Sequence, residues 1–118
     1  MTSVLVVDDY EDTRELLRTV LSSRGYAVFL AADGEQGVRL ACDCRPTVVV
    51  MDLFMPKMDG FEATRRIRAQ AENASTRVIA YTARPTPPRT DDGLFDAVCL
   101  KPCPLHELLS LIDQVIAA

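Results

Sequence analysis

Short apolar segments that end in polar residues recur along this chain, and segments with helical spacing separate them. The most continuous apolar segments are residues 3–7, 47–51 and 77–81. Apolar runs of this length are typical of strands buried on both faces of a parallel sheet. Two further segments, 26–30 and 97–100, bring the predicted strands to five. This alternation of strands and helices predicts an α/β fold, with right-handed crossovers and helices on both faces of the sheet.

Helix signals follow most of the predicted strands. Asp12 and Glu15 have capping-box spacing for a first helix, which Gly25 is expected to end. Asp33 opens a second helix, and residues 61–71 carry a third helical pattern. In the last helix, apolar residues recur every three or four positions, at Leu105, Leu108, Leu109, Ile112, Val115 and Ile116.

The segment between the fourth and fifth strands departs from this regularity. Pro85, Pro87 and Pro88 fall where a helix would begin. Beyond the first turn of a helix, proline removes a backbone hydrogen bond and clashes with the preceding turn. The fourth of the five helices is therefore expected to be short or irregular, with residues 84–92 mostly irregular and at most a short helix near 93–96.

Length and charge narrow the class of protein. A chain of 118 residues fits one domain, which we expect to span residues 1–118. Its 13 basic residues are scattered among 17 acidic ones, with a net charge of −4, so no direct nucleic-acid contact is expected. The first residues lack the charged and apolar regions of a secretory signal, so no such signal is expected, and no apolar run approaches the roughly 20 residues of a membrane span. These features predict a cytoplasmic protein without a membrane partner, as a monomer or weak dimer.

Four cysteines, Cys42, Cys44, Cys99 and Cys103, raise the question of a zinc site or two disulfides. Their spacing differs from that of structural zinc knuckles. A cytoplasmic chain with a good core also has no need of disulfides. We therefore expect four free thiols, buried or half-buried.

Polar side chains follow four of the predicted strands. Asp8 and Asp9 follow the first strand, Asp52 the third, Thr82 the fourth and Lys101 the fifth. In doubly wound sheets, ligands bind beyond the carboxyl ends of the strands, where the strand order reverses. If the order is 2-1-3-4-5, the first and third strands are neighbours and the three carboxylates share one pocket. Their mutual repulsion must then be relieved by protons, by a cation, or by both.

The composition of this pocket suggests a chemistry. Carboxylates and a backbone carbonyl suit Mg²⁺, whereas the single histidine, His106, lies in the last helix and makes a softer metal less suitable. A carboxylate beside Mg²⁺, a lysine and a hydroxyl can attack phosphorus and hold the acyl phosphate. Taken singly, the acidic pair could be a helix cap, the threonine a strand former and Lys-Pro a turn. Their joint position at neighbouring strand ends favours the functional interpretation.

The chain resembles, over its whole length, the receiver domain of two-component response regulators. The matching motifs are Val-Val-Asp8-Asp9, Met-Asp52-Leu-Phe-Met-Pro56 with Asp59-Gly60, Thr82-Ala83 and Lys101-Pro102. The resemblance implies a flavodoxin-like, doubly wound sheet of five parallel strands in the order 2-1-3-4-5. It also implies a phosphoacceptor that works with a sensor histidine kinase or a histidine phosphotransfer protein, and whose phosphorylation alters partner binding.

The resemblance further assigns roles to individual residues. Asp52 would be the phosphoacceptor, and Thr82 and Lys101 would bind the phosphoryl oxygens. The Mg²⁺ ligands would be Asp52, Asp9 directly, Asp8 through water, and the backbone carbonyl of Phe54. The Lys101–Pro102 peptide would be cis. Such a domain is not an enzyme in the usual sense, although it assists its own phosphorylation and dephosphorylation.

Two departures from the family pattern leave other functions open. Val98 stands where relatives carry a Tyr or Phe that moves with the threonine, and the stretch from Thr82 to Lys101 is short. Phe54 and Arg84 occupy positions that, in relatives, tune how fast water attacks the phosphorylated form. The missing aromatic leaves open a pseudo-receiver that acts only through protein contacts. Because the same sheet order hosts many functions, a flavodoxin-like small-molecule binder or phosphohydrolase is a second alternative.

Overall fold

The computed structural model describes residues 2–83 and 93–117. Within them, one parallel sheet contains five strands, in the order β2-β1-β3-β4-β5. The strands are β1 Ser3–Val7, β2 Ala27–Ala31, β3 Val48–Met51, β4 Arg77–Thr82 and β5 Ala97–Leu100. This arrangement confirms the predicted strand order and places the ends of β1 and β3 side by side.

The helices cover both faces of the sheet, as predicted. The described residues contain α1 Glu11–Ser23, α2 Gly34–Cys44, α3 Gly60–Ala69 and α4 Leu105–Ala117, with a short 3-10 helix at Ala71–Asn73. Alternate residues of β1 enter opposite cores, because successive side chains of a strand point to opposite faces. Val4 and Val6 pack with residues of α1 and α4, whereas Leu5 and Val7 pack with residues of α2 and α3. None of these helices has the length and apolar character needed to cross a membrane.

Two helix starts test the capping predictions. Asp33 caps α2, and its carboxylate accepts a hydrogen bond from Gln36 N at 2.8 Å, as expected from the sequence. The capping box predicted from Asp12 is wrong, because α1 begins at Glu11 after Tyr10, which makes no side-chain cap. The backbone N–H of Tyr10 instead donates to Asp8 Oδ1 at 2.9 Å. The chain is thus turned into α1 by an acidic residue of the predicted site.

The connection between β4 and β5 is described only at its ends. The predicted irregular stretch 84–92, including Arg84, lies outside the described residues, and no helix is present at 93–96. Here Arg68 of α3 donates to Leu94 O at 2.7 Å, to Thr76 O at 3.1 Å and to Asp96 Oδ2 at 2.9 Å. The guanidinium therefore fixes the segment that leads into β5.

The prediction of four free thiols is wrong for two of the cysteines. Cys99 in β5 and Cys103 in the loop before α4 are joined by a disulfide, with their Cα atoms 6.0 Å apart. That Cα separation lies within the usual range for a disulfide. Cys42 and Cys44 are free. Cys44 is half-buried as expected, whereas the expected burial is wrong for Cys42, which is exposed. The chain turns back after β5 and brings the first pair together, which spacing alone did not indicate.

Candidate functional site

Three carboxylates meet where β1 and β3 end. Val7 is paired with Met51 across the two strands, and the N–H of Asp52 donates to Val7 O at 2.9 Å, so the residues that follow are adjacent. One carboxylate oxygen from each of Asp8, Asp9 and Asp52 lies within 4.8 Å of the others. Asp8 and Asp52 are buried, and Asp9 is exposed. The structure thus brings together the three acidic residues that the sequence predicted at these strand ends.

Asp8 is held by hydrogen bonds at both carboxylate oxygens. Oδ1 accepts from the N–H of Tyr10, and Oδ2 accepts from Lys101 Nζ at 2.9 Å. Its backbone carbonyl accepts from Arg14 Nη1 at 2.8 Å. Arg14 was not predicted as a site residue from the sequence. Its place in the first turns of α1 is the available signal, because helical side chains point back toward the helix N-terminus.

Lys101 reaches the carboxylates from the end of β5. Its backbone N–H donates to Thr82 O at 2.7 Å, which joins the ends of β4 and β5. Its ammonium lies 4.9 Å from the ring centroid of Tyr81, a distance suited to a cation–π contact. The Lys101–Pro102 peptide is cis, as the resemblance implied. Tyr81 was not singled out from the sequence, because it lies in an apolar strand and looked like an ordinary core residue.

Burial and neighbouring charges strongly shift the pKa of the Asp52 carboxyl group. Burial, followed by the negative charge of Asp8, raises the pKa of Asp52 to about 6, and Lys101 opposes this rise. Burial lowers the pKa of Lys101, but the hydrogen bond and charge of Asp8, together with the charge of Asp52, raise it overall. Lys101 therefore carries its positive charge at neutral pH. An additional cation near Asp52 would relieve the repulsion that remains.

The loop after β3 is folded back against the start of α3. Phe54 N lies 3.4 Å from Asp52 Oδ1, and Gly60 N donates to Leu53 O at 2.9 Å. A Cβ atom on Gly60 would lie only 2.7 Å from Leu53 Cα, so the close approach requires a glycine. Asp59 caps α3 by accepting a hydrogen bond from Glu62 N at 2.9 Å. The Asp59-Gly60 pair thus positions the backbone that follows Asp52.

A cavity of about 200 Å³ opens above the carboxylates, and its lining residues are Asp9, Tyr10, Asp52, Phe54, Ala83 and Lys101. Tyr10 and Phe54 are 69% and 41% exposed and form an apolar rim. Thr82 is fully buried and is not among the described residues that line the cavity. The structure thus gathers Asp9, Asp52, Phe54 and Lys101 around one opening, whereas Asp8 and Thr82 are buried and do not line it.

A doubly wound sheet that ends in three clustered carboxylates and a lysine has the architecture of a phosphoacceptor domain. The family model described as "Response regulator receiver domain" matches residues 4–113. The chain therefore belongs to the response regulator receiver domains, the phosphoacceptor domains of two-component signalling.

Individual relatives agree with this assignment. Response regulator MprA of Mycolicibacterium vanbaalenii is 39% identical over 110 residues, which cover 91% of this chain and 47% of that protein. The chain thus spans about half the length of the curated relatives it matches.

Solved structures show the same similarity. Chemotaxis protein CheY4 of Vibrio cholerae has a TM-score of 0.90 and 30% identity, with 98% of both chains covered. The receiver domain of sensor histidine kinase PA1611 from Pseudomonas aeruginosa has a TM-score of 0.87 and 31% identity, with 99% of this chain and 98% of that chain covered. That structure has a magnesium ion coordinated in its active site cleft.

Proposed function

We propose that Asp52 is the residue that accepts the phosphoryl group. The observation that carries this proposal is the position of Asp52, buried between two other carboxylates and a charged lysine at the mouth of a cavity. With a pKa of about 6, its carboxylate is mostly ionised at neutral pH and is available as a nucleophile. The donor would be a phosphohistidine of a sensor histidine kinase or of a histidine phosphotransfer protein.

The proposed transfer uses the residues around Asp52 for positioning and charge. A carboxylate oxygen of Asp52 forms a bond to phosphorus as the bond between phosphorus and the donor imidazole nitrogen breaks, and the imidazole leaves with its electron pair. The Lys101 ammonium neutralises the phosphoryl oxygens, and the hydroxyl of Thr82 donates to one of them. Phosphoryl transfer depends mainly on such positioning and charge neutralisation. The same groups would assist hydrolysis of the acyl phosphate.

The site is suited to Mg²⁺. Its donor set consists of carboxylate oxygens, which this hard cation prefers. Burial and then the negative charge of Asp8 raise the pKa of Asp52, and a bound cation would relieve the second of these effects. We propose that Asp9, Asp52 and the backbone carbonyl of Phe54 hold the ion directly and that Asp8 does so through water. When bound, Mg²⁺ supplies positive charge that neutralises the phosphoryl oxygens.

We further infer that the domain works in the cytoplasm and that its phosphorylation alters contacts with a downstream protein or output domain. Val98 packs against the apolar cluster beneath α3 and has no ring that could move with Thr82. We therefore propose that the output does not use an aromatic switch at this position.

Intact-mass measurement after incubation with Mg²⁺ and acetyl phosphate tests the phosphoacceptor proposal. We expect the wild-type protein to gain the mass of one phosphoryl group and Asp52→Asn to gain none. Removal of Mg²⁺ by a chelator should also prevent the gain. A folded wild-type protein that gains no mass would favour a pseudo-receiver, and a gain that persists in Asp52→Asn would assign the acceptor to another residue.

A further inference from the structure

Two cysteines bracket the lysine of the site. Cys99 and Cys103 are joined by a disulfide, and the segment between them contains Lys101 and its cis peptide bond to Pro102. Both cysteines are buried, at 4% and 8% exposure. The cross-link therefore closes a short loop around the residue whose ammonium contacts Asp8.

This disulfide is unusual for the proposed location. Cytosolic thiols are kept reduced, and the disulfides that do form there are mostly transient and serve catalysis or redox sensing. The disulfide is also not needed to hold β5 and α4 in place. β5 is already paired with β4, and α4 packs on the sheet through its own apolar residues. A structural role thus explains the bond poorly, whereas a regulatory role fits its position.

We propose that Cys99 and Cys103 form a reversible redox pair that controls the placement of Lys101, an inference that rests in part on the proposed function of the site. In the oxidised form, Lys101 is held by the cross-link on both sides, by its backbone bond to Thr82 and by its ion pair with Asp8. Reduction removes the cross-link and frees the loop. The lysine then loses part of its preorganisation toward Asp52.

Hydrogen peroxide is the oxidant that would convert the two thiols to the disulfide. The thiol of Cys103, in the loop and the more exposed of the two, releases its proton, and the thiolate attacks one peroxide oxygen. The O–O bond breaks, Cys103 becomes a sulfenic acid, and the departing hydroxide takes up a proton and leaves as the first water. The thiol of Cys99 then attacks that sulfur, the S–S bond forms and a second water leaves. Two thiols and hydrogen peroxide thus give one disulfide and two waters. A dithiol reductant reverses the change by supplying two electrons and two protons.

The test compares reduced and peroxide-oxidised protein. Alkylation followed by intact-mass analysis first counts the free thiols in each form, and phosphorylation by acetyl phosphate with Mg²⁺ is then timed. We expect the oxidised wild-type protein to be phosphorylated about three- to tenfold faster, the range expected when one long side chain is already immobilised. Cys103→Ser should react at one rate under both conditions, and Cys99→Ala provides a second variant if Cys103→Ser fails to fold. The double variant Cys42→Ser/Cys44→Ser is the control and should keep the wild-type redox response.

Hydrogen exchange separates this inference from the phosphoacceptor proposal. Pro102 and Pro104 have no amide hydrogen. Exchange in this segment is therefore measured at the backbone amides of Lys101 and Cys103. Oxidation should slow exchange at both amides whether or not phosphorylation occurs. If neither form is phosphorylated, the proposed function fails and this exchange result alone decides the inference. Four alkylated thiols after peroxide treatment, equal phosphorylation rates with the disulfide formed, or unchanged exchange at the two amides would each overturn it.

Discussion

The ammonium of Lys101 lies 2.9 Å from Asp8 Oδ2, so the positive charge of the site is held by a carboxylate that neighbours Asp52. Asp8 raises the pKa of Asp52, whereas Lys101 lowers it. Substitutions that neutralise Asp8 and Lys101 should therefore shift the pKa of Asp52 in opposite directions. Asp8→Asn should lower the pKa of Asp52 below its value of about 6, and Lys101→Met should raise it. Carbon-detected NMR titration of the Asp52 carboxyl group in metal-free protein checks both signs, and shifts in the same direction would contradict the charge arrangement.

Asp52 should destabilise the metal-free protein at neutral pH. Its pKa is raised by the fold from 3.8 to about 6, so the folded state binds more protons than the unfolded state between these values. The free energy of unfolding therefore falls as pH rises through this window. Asp52→Asn should remove that dependence and stabilise the protein at pH 7 by up to about 3 kcal/mol.

Urea unfolding of both proteins with a chelator present, at several pH values from about 4 to 7, measures this difference. The gain from Asp52→Asn should shrink toward the acid end of the series. A gain that is independent of pH would show that the substitution acts through packing and not through charge.

Mg²⁺ should stabilise the folded protein, because it relieves repulsion among three carboxylates that come together only in the folded state. At about a hundred times its dissociation constant, the gain is about 2.7 kcal/mol. Asp9→Ala should remove most of this gain, whereas Asp43→Ala, an exposed acidic substitution in α2, should retain it. Thermal melts with and without millimolar Mg²⁺ provide the measurement. Equal melting temperatures in the wild-type protein would argue against the metal site.

Gly60→Ala should damage both stability and phosphorylation, because a Cβ atom would press on the backbone of Leu53 beside the acceptor. Overpacking of this kind costs about 1–3 kcal/mol. Gly37→Ala is the matched variant, since its Cβ would lie 2.9 Å from Val7 Cγ2, a core side chain that is not among the described residues lining the cavity. We expect both variants to melt earlier, but only Gly60→Ala to be phosphorylated more slowly per folded molecule. Equal rates in the two variants would contradict the positioning role of Gly60.

The sheet was predictable from the sequence because its evidence is local. The apolar runs and the polar residues that end them follow from burial on two faces, so the strands themselves were anticipated. The strand order came from the resemblance to receiver domains, and the clustering of Asp8, Asp9 and Asp52 followed from that order. The contacts that refine the site are not local. Arg14 and Tyr81 lie near the site because of how α1 and β4 pack in the folded protein. An arginine in a helix and a tyrosine in a strand do not by themselves indicate a functional site.

The errors have a similar origin. Asp12 matched a capping box, but the turn into α1 is made by Asp8, whose carboxylate takes the amide of Tyr10. The pairing of Cys99 with Cys103 depends on how the chain turns after β5, which their spacing does not specify. In both cases a three-dimensional contact replaced the arrangement that sequence spacing favoured.

Arg68 links two parts of the molecule that are far apart in the sequence, α3 and the segment that leads into β5. Its guanidinium ties α3 directly to Leu94 and Asp96, and β5 adds its own ladder to β4. Among the described residues, these contacts hold the start of the carboxyl-terminal part of the chain to α3 and β4. Two separately expressed fragments, divided between β4 and β5, should consequently reassemble by complementation through these contacts.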